Sequence, residues 1–327
     1  MSGTQAWGFT DDRGTELGAA RVPRRVVAYI RAGAALCDLG VTPVAVYGSG
    51  HDGEAPDPAK EGGLGAAAVT YLGPGRTLDE ERLRSLRPDV LVDVTYDGKS
   101  PYALDEAVAE RLGVPLVALS VGGELTLGAI LDRFAALATG LGARPDPGGR
   151  DGEAEATTLP ATTTPPATTL PAAVTWPVAT TPPGAATPPG TAAPAATPPL
   201  TALPVAERAL REAAGRGGAA VLALSGAGPE QVHLARPDAW PELARLAELG
   251  VRLLDPGPGP GANWLTADWA RAAELRPGLV LFDSRAHATP PDGPLAHVPR
   301  TAWNPETPPS PAAYARFFHE LARTLAP

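Results

Sequence analysis

Apolar residues recur at helical spacing in the middle of this chain, between positions 126 and 143. They form one stripe, which consists of Leu127, Ile130, Leu131, Phe134, Leu137, Ala138 and Leu141. Such a stripe is typical of a helix that buries one face. At about 1.5 Å per residue, this helix would be roughly 27 Å long. Strand and helix patterns precede and follow it, which predicts two α/β lobes joined by one bridging helix, with any ligand site in the cleft between them.

In the first lobe, 1–125, short β-branched runs alternate with amphipathic segments. A hairpin is predicted over 7–17, around the turn residues of DDRG. Five strands are predicted at 24–30, 41–47, 69–72, 88–96 and 114–121, with helices at 32–39, 78–86 and 102–112. Alternating strands and helices are typical of a parallel sheet that is covered on both faces.

The composition changes abruptly between 144 and 204. Most of this tract lacks lysine and arginine, and it contains repeated Pro-Pro pairs. Proline breaks helices, and a tract this poor in large apolar side chains cannot offset the entropy of ordering. A disordered or polyproline-like insertion is therefore predicted after the bridging helix, 126–143. An exported, O-glycosylated stalk is the alternative interpretation.

The second lobe, 205–327, repeats the α/β pattern. Helices are predicted at 205–214, 240–249, 266–275 and 311–325, and strands at 219–225, 251–254 and 279–284. Thr266 is predicted to cap the third of these helices. The fold class that follows is α/β, with two Rossmann-like lobes whose sheets are mostly parallel.

Composition and charge narrow the possible partners and locations. A net charge of -9 and a pI near 5.1 argue against a nucleic-acid partner or an anionic membrane surface. A single cysteine, Cys37, excludes an internal disulfide. The sequence shows no apolar run long enough to cross a membrane and no export signal or lipobox. It therefore predicts a cytoplasmic protein as given, or an extracytoplasmic, membrane-associated one if the true start lies upstream.

Motifs that would indicate catalysis or a cofactor are not found. The run GSGHDG at 48–53 follows a predicted strand and has the spacing of a dinucleotide fingerprint. The fingerprint requires a following helix, whereas EAPDPAKEGG is rich in proline and glycine and predicts a loop. No nucleophile elbow, P-loop or metalloprotease motif occurs. We therefore predict no catalytic residue, no cofactor and no metal site.

Several segments together resemble one family of transport proteins. The segments are FTDDRG with VPRRVVAYI, LGVTPVAVYG, RPDVLVDVTY, VPLVAL before the long helix, and NWLTADWARAAELRPGLVLFD. In their order and spacing they are similar to the ferric-siderophore and cobalamin class of ABC-importer substrate-binding proteins, the class III periplasmic binding proteins. The resemblance covers 7–143 and about 205–325.

The resemblance implies two lobes about a rigid helix, a shallow cleft, little hinge closure and delivery of a metal chelate to a permease. We also predict a monomer. Members are normally exported, and they tend to carry a glutamate on the first helix of each lobe that docks on the permease. The corresponding positions here are Ala35 and Asp268.

Ligand sites in parallel sheets lie beyond the carboxyl ends of the strands. Arginine suits anionic groups, and aromatic side chains give broad contact with bulky chelates such as ferric siderophores. The loops after the strands therefore supply the predicted ligand-binding residues, which are Arg31, His51, Asp52, Tyr96, Ser225, His233, Trp264, Arg285, His287 and Trp303.

Structural roles are the alternative for these side chains. The arginines could pair with carboxylates, and Ser225 could simply end its strand. The aromatic residues could fill the core or, for Trp303, cap the last helix. The histidines could bind a bare metal ion, but no local ligand pair supports that.

The sequence thus favours a non-enzymatic receptor that binds a ferric siderophore or similar chelate in the cleft and passes it to an ABC permease. The alternative is a cytoplasmic enzyme, or a chelate-handling protein, on the same two-lobed scaffold.

Overall fold

The computed structural model describes residues 6–143, 202–291 and 293–326. The predicted insertion lies outside the described residues, apart from its last three positions. The chain opens with an antiparallel hairpin of β1 (Trp7–Thr10) and β2 (Glu16–Ala19). Its turn is held by the Asp11 carboxylate, which accepts the backbone N–H groups of Arg13 and Thr15, each at 3.0 Å.

The first lobe contains a five-stranded sheet in which every pair of neighbours is parallel, in the order β5-β4-β3-β6-β7. The strands are β3 (Val26–Tyr29), β4 (Ala45–Gly48), β5 (Thr70–Pro74), β6 (Val90–Thr95) and β7 (Leu116–Ser120). The helices are α1 (Ile30–Asp38), α2 (Glu80–Ser85) and α3 (Glu106–Leu112). All six residues of β6 are buried, as expected for a central strand covered on both faces.

The bridging helix, α4 (Leu127–Gly140), has 14 residues and is about 21 Å long, which is shorter than predicted. It begins where the Thr126 hydroxyl accepts the Ala129 N–H, and it ends just before Gly142, which has a φ of 92°. Its apolar stripe is divided between two cores. Phe134 and its stripe neighbours belong to the first-lobe core, whereas Leu127 and Leu131 belong to the second. The helix therefore packs against both lobes.

The second lobe has a mixed sheet in the order β10-β9-β8-β11-β12. Its strands are β8 (Val221–Gly226), β9 (Val232–Ala235), β10 (Trp264–Ala267), β11 (Leu279–Asp283) and β12 (Arg300–Trp303). Its helices are α5 (Ala202–Gly215), α6 (Pro241–Glu248), α7 (Trp269–Glu274) and α8 (Pro311–Leu325). The α/β class and the two lobes are as predicted. The prediction of mostly parallel sheets holds for the first lobe only, because β9 is antiparallel to both β8 and β10.

In the second lobe the sequence analysis missed three strands and was wrong about three other features. Strands β9, β10 and β12 were missed because each is four residues long and carries polar side chains. The predicted strand at 251–254 forms only an isolated bridge, between Val221 and Leu253. Helix α5 begins at Ala202, inside the predicted insertion. Pro204 fits there because proline lacks a backbone N–H, and the N–H groups of a helix's first turn have no partner within the helix. Thr266 lies in β10, and α7 is capped instead by Asp268, which accepts the Arg271 N–H at 2.7 Å.

One segment occurs in both lobes in corresponding places. TLDEERLRSLRPDVLV leads through α2 into β6, and TADWARAAELRPGLVL leads through α7 into β11. Both helices are capped by an aspartate, Asp79 and Asp268, and both Leu-Arg-Pro turns place arginine at positive φ. The first-lobe counterpart of Asp268 is therefore the exposed Asp79. Ala35, the position that the sequence suggested, is fully buried in α1.

No helix in the described part of the chain combines the length and the apolar character needed to cross a bilayer.

Candidate ligand-binding cleft

Residues that follow the strands of the first lobe meet residues that follow β11 and β12 of the second. Asp57 accepts the backbone N–H of Ala286 at 2.9 Å, and Asn304 donates its side-chain amide to the carbonyl of Ala59 at 2.6 Å. These contacts, made by the long loop between β4 and β5, tie the lobes together beside the cleft.

A buried carboxylate, Glu306, lies at the centre of the lobe boundary. It accepts hydrogen bonds from Lys60 at 3.0 Å, from Arg285 at 2.8 Å and from the Tyr29 hydroxyl. Burial works against the ionisation of Glu306, but the charges of Lys60 and Arg285 outweigh it and lower its pKa to about 2. Glu306 is therefore a permanent anion at neutral pH.

Lys60 connects this carboxylate to the first lobe. Its fully buried ammonium lies 2.7 Å from the nearer Asp52 oxygen, and Asp52 in turn accepts the Ser49 N–H at 2.6 Å and its hydroxyl at 2.8 Å. A buried ammonium with only one partner would be costly, so two carboxylates compensate it here. Asp52, which the sequence predicted as a ligand contact, is occupied by this pairing.

The GSGHDG run forms a turn, and a loop follows it, as predicted. Asp52 closes it by binding the Ser49 backbone and side chain. A side chain at Gly48 would lie 2.3 Å from the Tyr71 hydroxyl, which explains the glycine there. The segment that follows, 53–69, contains turns and no helix.

Arg285 is already paired with carboxylates near the lobe boundary. It donates to Asp283 at 2.7 Å and to Glu306 at 2.8 Å, and 13% of its side chain is exposed. Ser225 donates to Asp283 at 2.7 Å and is itself buried. Ser225 was predicted to contact the ligand; in this structure its hydroxyl binds the carboxylate that holds Arg285.

Arg31 is buried between the lobes. It lies in the first turn of α1, not in a loop, and it donates to the Thr307 carbonyl at 3.1 Å and to the Tyr96 hydroxyl at 2.9 Å. Burial opposes its charge, but Tyr96 and nearby acids keep its pKa above the ordinary value. Arg31 was predicted to contact the ligand; in this structure its guanidinium is buried and bonded to groups of both lobes.

Three tryptophans form a cluster on the second lobe. The Trp240 ring lies 4.9 Å from that of Trp264 and 5.5 Å from that of Trp303, between centroids. Trp303 is completely buried and donates its indole N–H to Glu242 at 3.2 Å. It therefore belongs to the core and does not line the cleft, while the cap of α8 is Ser310. Trp264 is only half-buried.

An open recess of about 250 Å³ lies beside this cluster, between the lobes. Tyr96 contributes one wall from the first lobe, and Trp240 and Asn263 contribute the other from the second. The Tyr96 ring packs edge-on against Tyr102, with 4.9 Å between centroids. Burial raises the pKa of Tyr96, so its hydroxyl stays protonated and can donate a hydrogen bond. Exposed acids, Glu124 and Asp238, border the recess.

The loop that carries Asn263 is organised by one arginine. Arg236 donates to the carbonyls of Gly257, Gly259 and Gly261 at 2.8, 2.9 and 3.0 Å, respectively. A guanidinium presents a planar set of donors, and the alternating Pro-Gly sequence presents its carbonyls to match. The wall of the recess is therefore fixed by a side chain outside it.

The three predicted cleft histidines separate into two places. His51 from the first lobe and His287 from the second are exposed, and 6.1 Å separates their ring centroids. Partial desolvation and the nearby Arg285 lower the pKa of His287. His233 instead pairs with Thr266 at 3.1 Å, beside Trp264.

A larger depression, of about 750 Å³, lies on the α8 side of the lobe boundary. It is lined in part by Asp38, Gly62, Arg316 and Phe317. It lacks the facing aromatic residues from both lobes that distinguish the recess at Tyr96.

Sequence reasoning missed the centre of the polar network. Lys60, Asp283 and Glu306 were not among the predicted site residues. An acidic residue at the end of an apolar strand, as in LVLFDS, needs a buried partner, and Arg285 follows two positions later. That signal identifies Asp283. Lys60 and Glu306 lie far apart in the sequence, so no local pattern connects them.

Comparison with solved structures identifies proteins of the same architecture. DesE, a ferric-siderophore receptor protein from Streptomyces coelicolor, matches with a TM-score of 0.72 and 24% identity over 98% of this chain and 97% of its own. The heme-binding protein HmuT matches with a TM-score of 0.59 and 13% identity, covering 100% and 92% of the two chains. A siderophore periplasmic binding protein from the fuscachelin gene cluster of Thermobifida fusca gives 0.53 and 11%, covering 93% and 96%.

The chain therefore has the two-lobed fold of class III periplasmic binding proteins, as the sequence resemblance predicted. No protein-family model matches the sequence, and no curated protein matches it either.

Proposed function

We propose that this chain is the substrate-binding protein of an ABC importer, and that it holds a ferric siderophore in the cleft without converting it. The observation that carries the proposal is the recess formed by Tyr96 of one lobe and Trp240 of the other, beside lobes locked together by buried ion pairs. A rigid, aromatic, two-sided recess suits a bulky ligand because little ordering entropy is lost on binding.

The polar groups near the cleft support binding rather than catalysis. Among the described residues, Arg285 is held by Asp283 and Glu306, and Ser225 donates to a carboxylate and not to a histidine. A nucleophile needs an adjacent base that can accept its proton. These groups are fixed in ion pairs, so they stabilise the shape of the site.

The charges favour one chemical class of siderophore. The buried carboxylates of Asp52, Asp283 and Glu306 are paired with Lys60 and Arg285, and exposed acids border the recess. A site without excess positive charge gives no electrostatic advantage to a strongly anionic ferric catecholate. We therefore propose a ferric hydroxamate, in which the ligand charges neutralise the iron.

A fluorescence titration tests the proposal, because three tryptophans lie at or next to the recess. Addition of a ferric tris-hydroxamate should quench tryptophan emission in a saturable way, and mass spectrometry should recover the chelate unchanged. A ferric tris-catecholate should bind at least tenfold more weakly. Chemical turnover of the chelate would instead support an enzyme on this scaffold, and an absence of quenching with both probes would refute the receptor role.

A matched pair of variants locates the ligand. Tyr96→Ala removes a wall of the recess, whereas Arg316→Ala alters the larger depression on the α8 side. If the ligand occupies the recess, the first variant weakens hydroxamate binding at least tenfold and the second does not. The opposite result would move the site to the α8 side.

We also propose that the exposed turns at Asp79 and Asp268 face the permease, outside the cytoplasmic membrane. The two residues occupy corresponding places in the lobes, and each carries a negative charge at a helix N-terminus. Asp79→Asn and Asp268→Asn keep the cap, since asparagine caps equally well, while removing the charge. Together they should abolish ferric hydroxamate uptake by cells while leaving ligand affinity unchanged. Normal uptake by the double variant would refute this docking surface.

A further inference from the structure

Two exposed imidazoles from opposite lobes lie close together at the lobe boundary. His51 follows β4, and His287 follows β11; their rings are exposed, 6.1 Å apart between centroids, and tilted by 35°. Among the described residues, neither ring has a hydrogen-bond partner, so their nitrogens are available to an external group.

From this arrangement, we infer that His51 and His287 together bind one late first-row divalent metal ion, with the remaining coordination positions open to water or small exogenous donors. The inference goes beyond the proposed receptor function, since it concerns a bare ion and apo protein. No group of three or more histidine, cysteine or acidic side chains in the described ranges is placed to hold a metal. The site is accordingly a two-ligand, open one.

The ring separation fits a shared metal. With a nitrogen-to-metal distance of about 2.1 Å, each ring centroid would lie about 3.2 Å from the ion. The distance between the two centroids then depends on the nitrogen–metal–nitrogen angle. It is about 4.6 Å at a right angle, about 5.3 Å at the tetrahedral angle and about 6.5 Å when the three atoms are in line. The observed 6.1 Å lies within this range. Exposed imidazoles can also adjust by side-chain rotation.

Both rings are carried on backbone that is held in place. The N–H of His51 donates to the Ser49 hydroxyl at 3.2 Å, inside the turn that Asp52 closes. The residue before His287 donates its N–H to Asp57 of the other lobe at 2.9 Å. Because the two loops are pinned across the lobe boundary, little entropy is lost when the rings converge on an ion.

The donor set selects the class of metal. Imidazole nitrogen suits Cu²⁺, Ni²⁺ and Zn²⁺, whereas Mg²⁺ and Ca²⁺ prefer oxygen donors. For a site of this kind, Cu²⁺ should bind most tightly, and Ni²⁺ should follow it. A pair without carboxylate ligands should leave Mg²⁺ unbound.

Calorimetric titration of the full, tag-free chain with Cu²⁺ or Ni²⁺, without any siderophore, tests the inference. We expect one ion per chain at this site. His51→Gln and His287→Gln should each weaken Ni²⁺ binding at least tenfold, and the double variant should lose it. His319→Gln, which changes an exposed histidine on α8, is the matched control and should bind like the parent chain.

A second measurement separates this site from scattered surface binding. An ion held by both lobes stabilises the folded chain, so Ni²⁺ should raise the thermal midpoint of the parent chain and not that of the double variant. Equal Ni²⁺ affinity in the parent and the double variant, or an equal loss in His319→Gln, would overturn the inference. Neither result bears on hydroxamate binding, so the proposed receptor function is tested separately.

Discussion

Lys60 of the first lobe and Glu306 of the second form an ion pair of 3.0 Å in which both side chains are buried. Lys60 also binds Asp52, and Glu306 also binds Arg285, so the pair links carboxylates and cations on both sides of the lobe boundary. Such a chain of pairs holds the lobes together across their boundary.

Removing the Lys60 charge should destabilise the whole chain. Lys60→Met leaves Asp52 and Glu306 buried with fewer counter-charges, which should cost about 3–5 kcal/mol of unfolding free energy. Urea unfolding followed by tryptophan fluorescence measures the loss. Lys99→Met removes an exposed lysine and is the control, with an expected change below about 0.5 kcal/mol. Similar losses in both variants would show that the buried pairing has no special role.

Glu306 should make the fold sensitive to acid. Its pKa of about 2 lies below the unfolded value of about 4.3, so its stabilising effect is complete above the unfolded value and is lost as the pH falls towards 2. Between pH 7 and pH 2 the parent chain should lose on the order of 2 kcal/mol more stability than Glu306→Gln. Unfolding free energies of both chains across this range provide the test, and parallel pH profiles would contradict it.

Asp93 should give the opposite pH dependence of stability, so that the fold loses stability as the pH rises. Burial raises its pKa to about 6. Hydrogen bonds from the backbone N–H groups of Val94, Ala103 and Leu104 lower the pKa and offset part of this rise. Because this pKa is raised in the folded chain, the contribution of Asp93 to folding stability is greatest below its unfolded-state pKa of about 3.9. That contribution is lost as the pH rises through 6.

Relative to Asp93→Asn, the parent chain should therefore lose on the order of 2 kcal/mol between pH 4 and pH 7. The comparison uses the pH slopes of the two chains, because the substitution also changes the hydrogen bonds. If both chains show the same slope over this interval, Asp93 is not the titrating group.

Arg236 should control the wall of the recess from a distance. Arg236→Lys keeps the charge but cannot reach three carbonyls at once, so the loop 256–263 should open and its amides should exchange hydrogen at least tenfold faster. Hydroxamate affinity should fall with it, because Asn263 lines the recess. Arg252→Lys, at an exposed arginine, is the control. Unchanged exchange in Arg236→Lys would show that the loop holds its shape without the arginine.

Local pattern was sufficient for most elements of this fold. The strand β6 was predicted from its long apolar run, and the helix α8 from its clear stripe of apolar residues at helical spacing. Strands β9 and β12 could not be predicted, since a four-residue strand with polar side chains becomes a strand only by pairing with its neighbours.

Among the candidate site residues, the sequence could place positions at strand ends but not orient them. His51 and His287 are exposed and close together, Arg285 is paired with Asp283, and Trp303 is buried in the core. Whether such a side chain is exposed depends on what packs over it from the other lobe.

The sequence alone determined the α/β class, the bridging helix and the resemblance to siderophore receptors, because periodicity and segment order are properties of neighbouring residues. Only the tertiary structure decided that Lys60 meets Glu306, that Ser225 and Arg31 are occupied, and that Tyr96 and Trp240 enclose a recess. Those contacts join residues far apart in the chain, and their energies depend on burial and distance, which exist only once the lobes have packed.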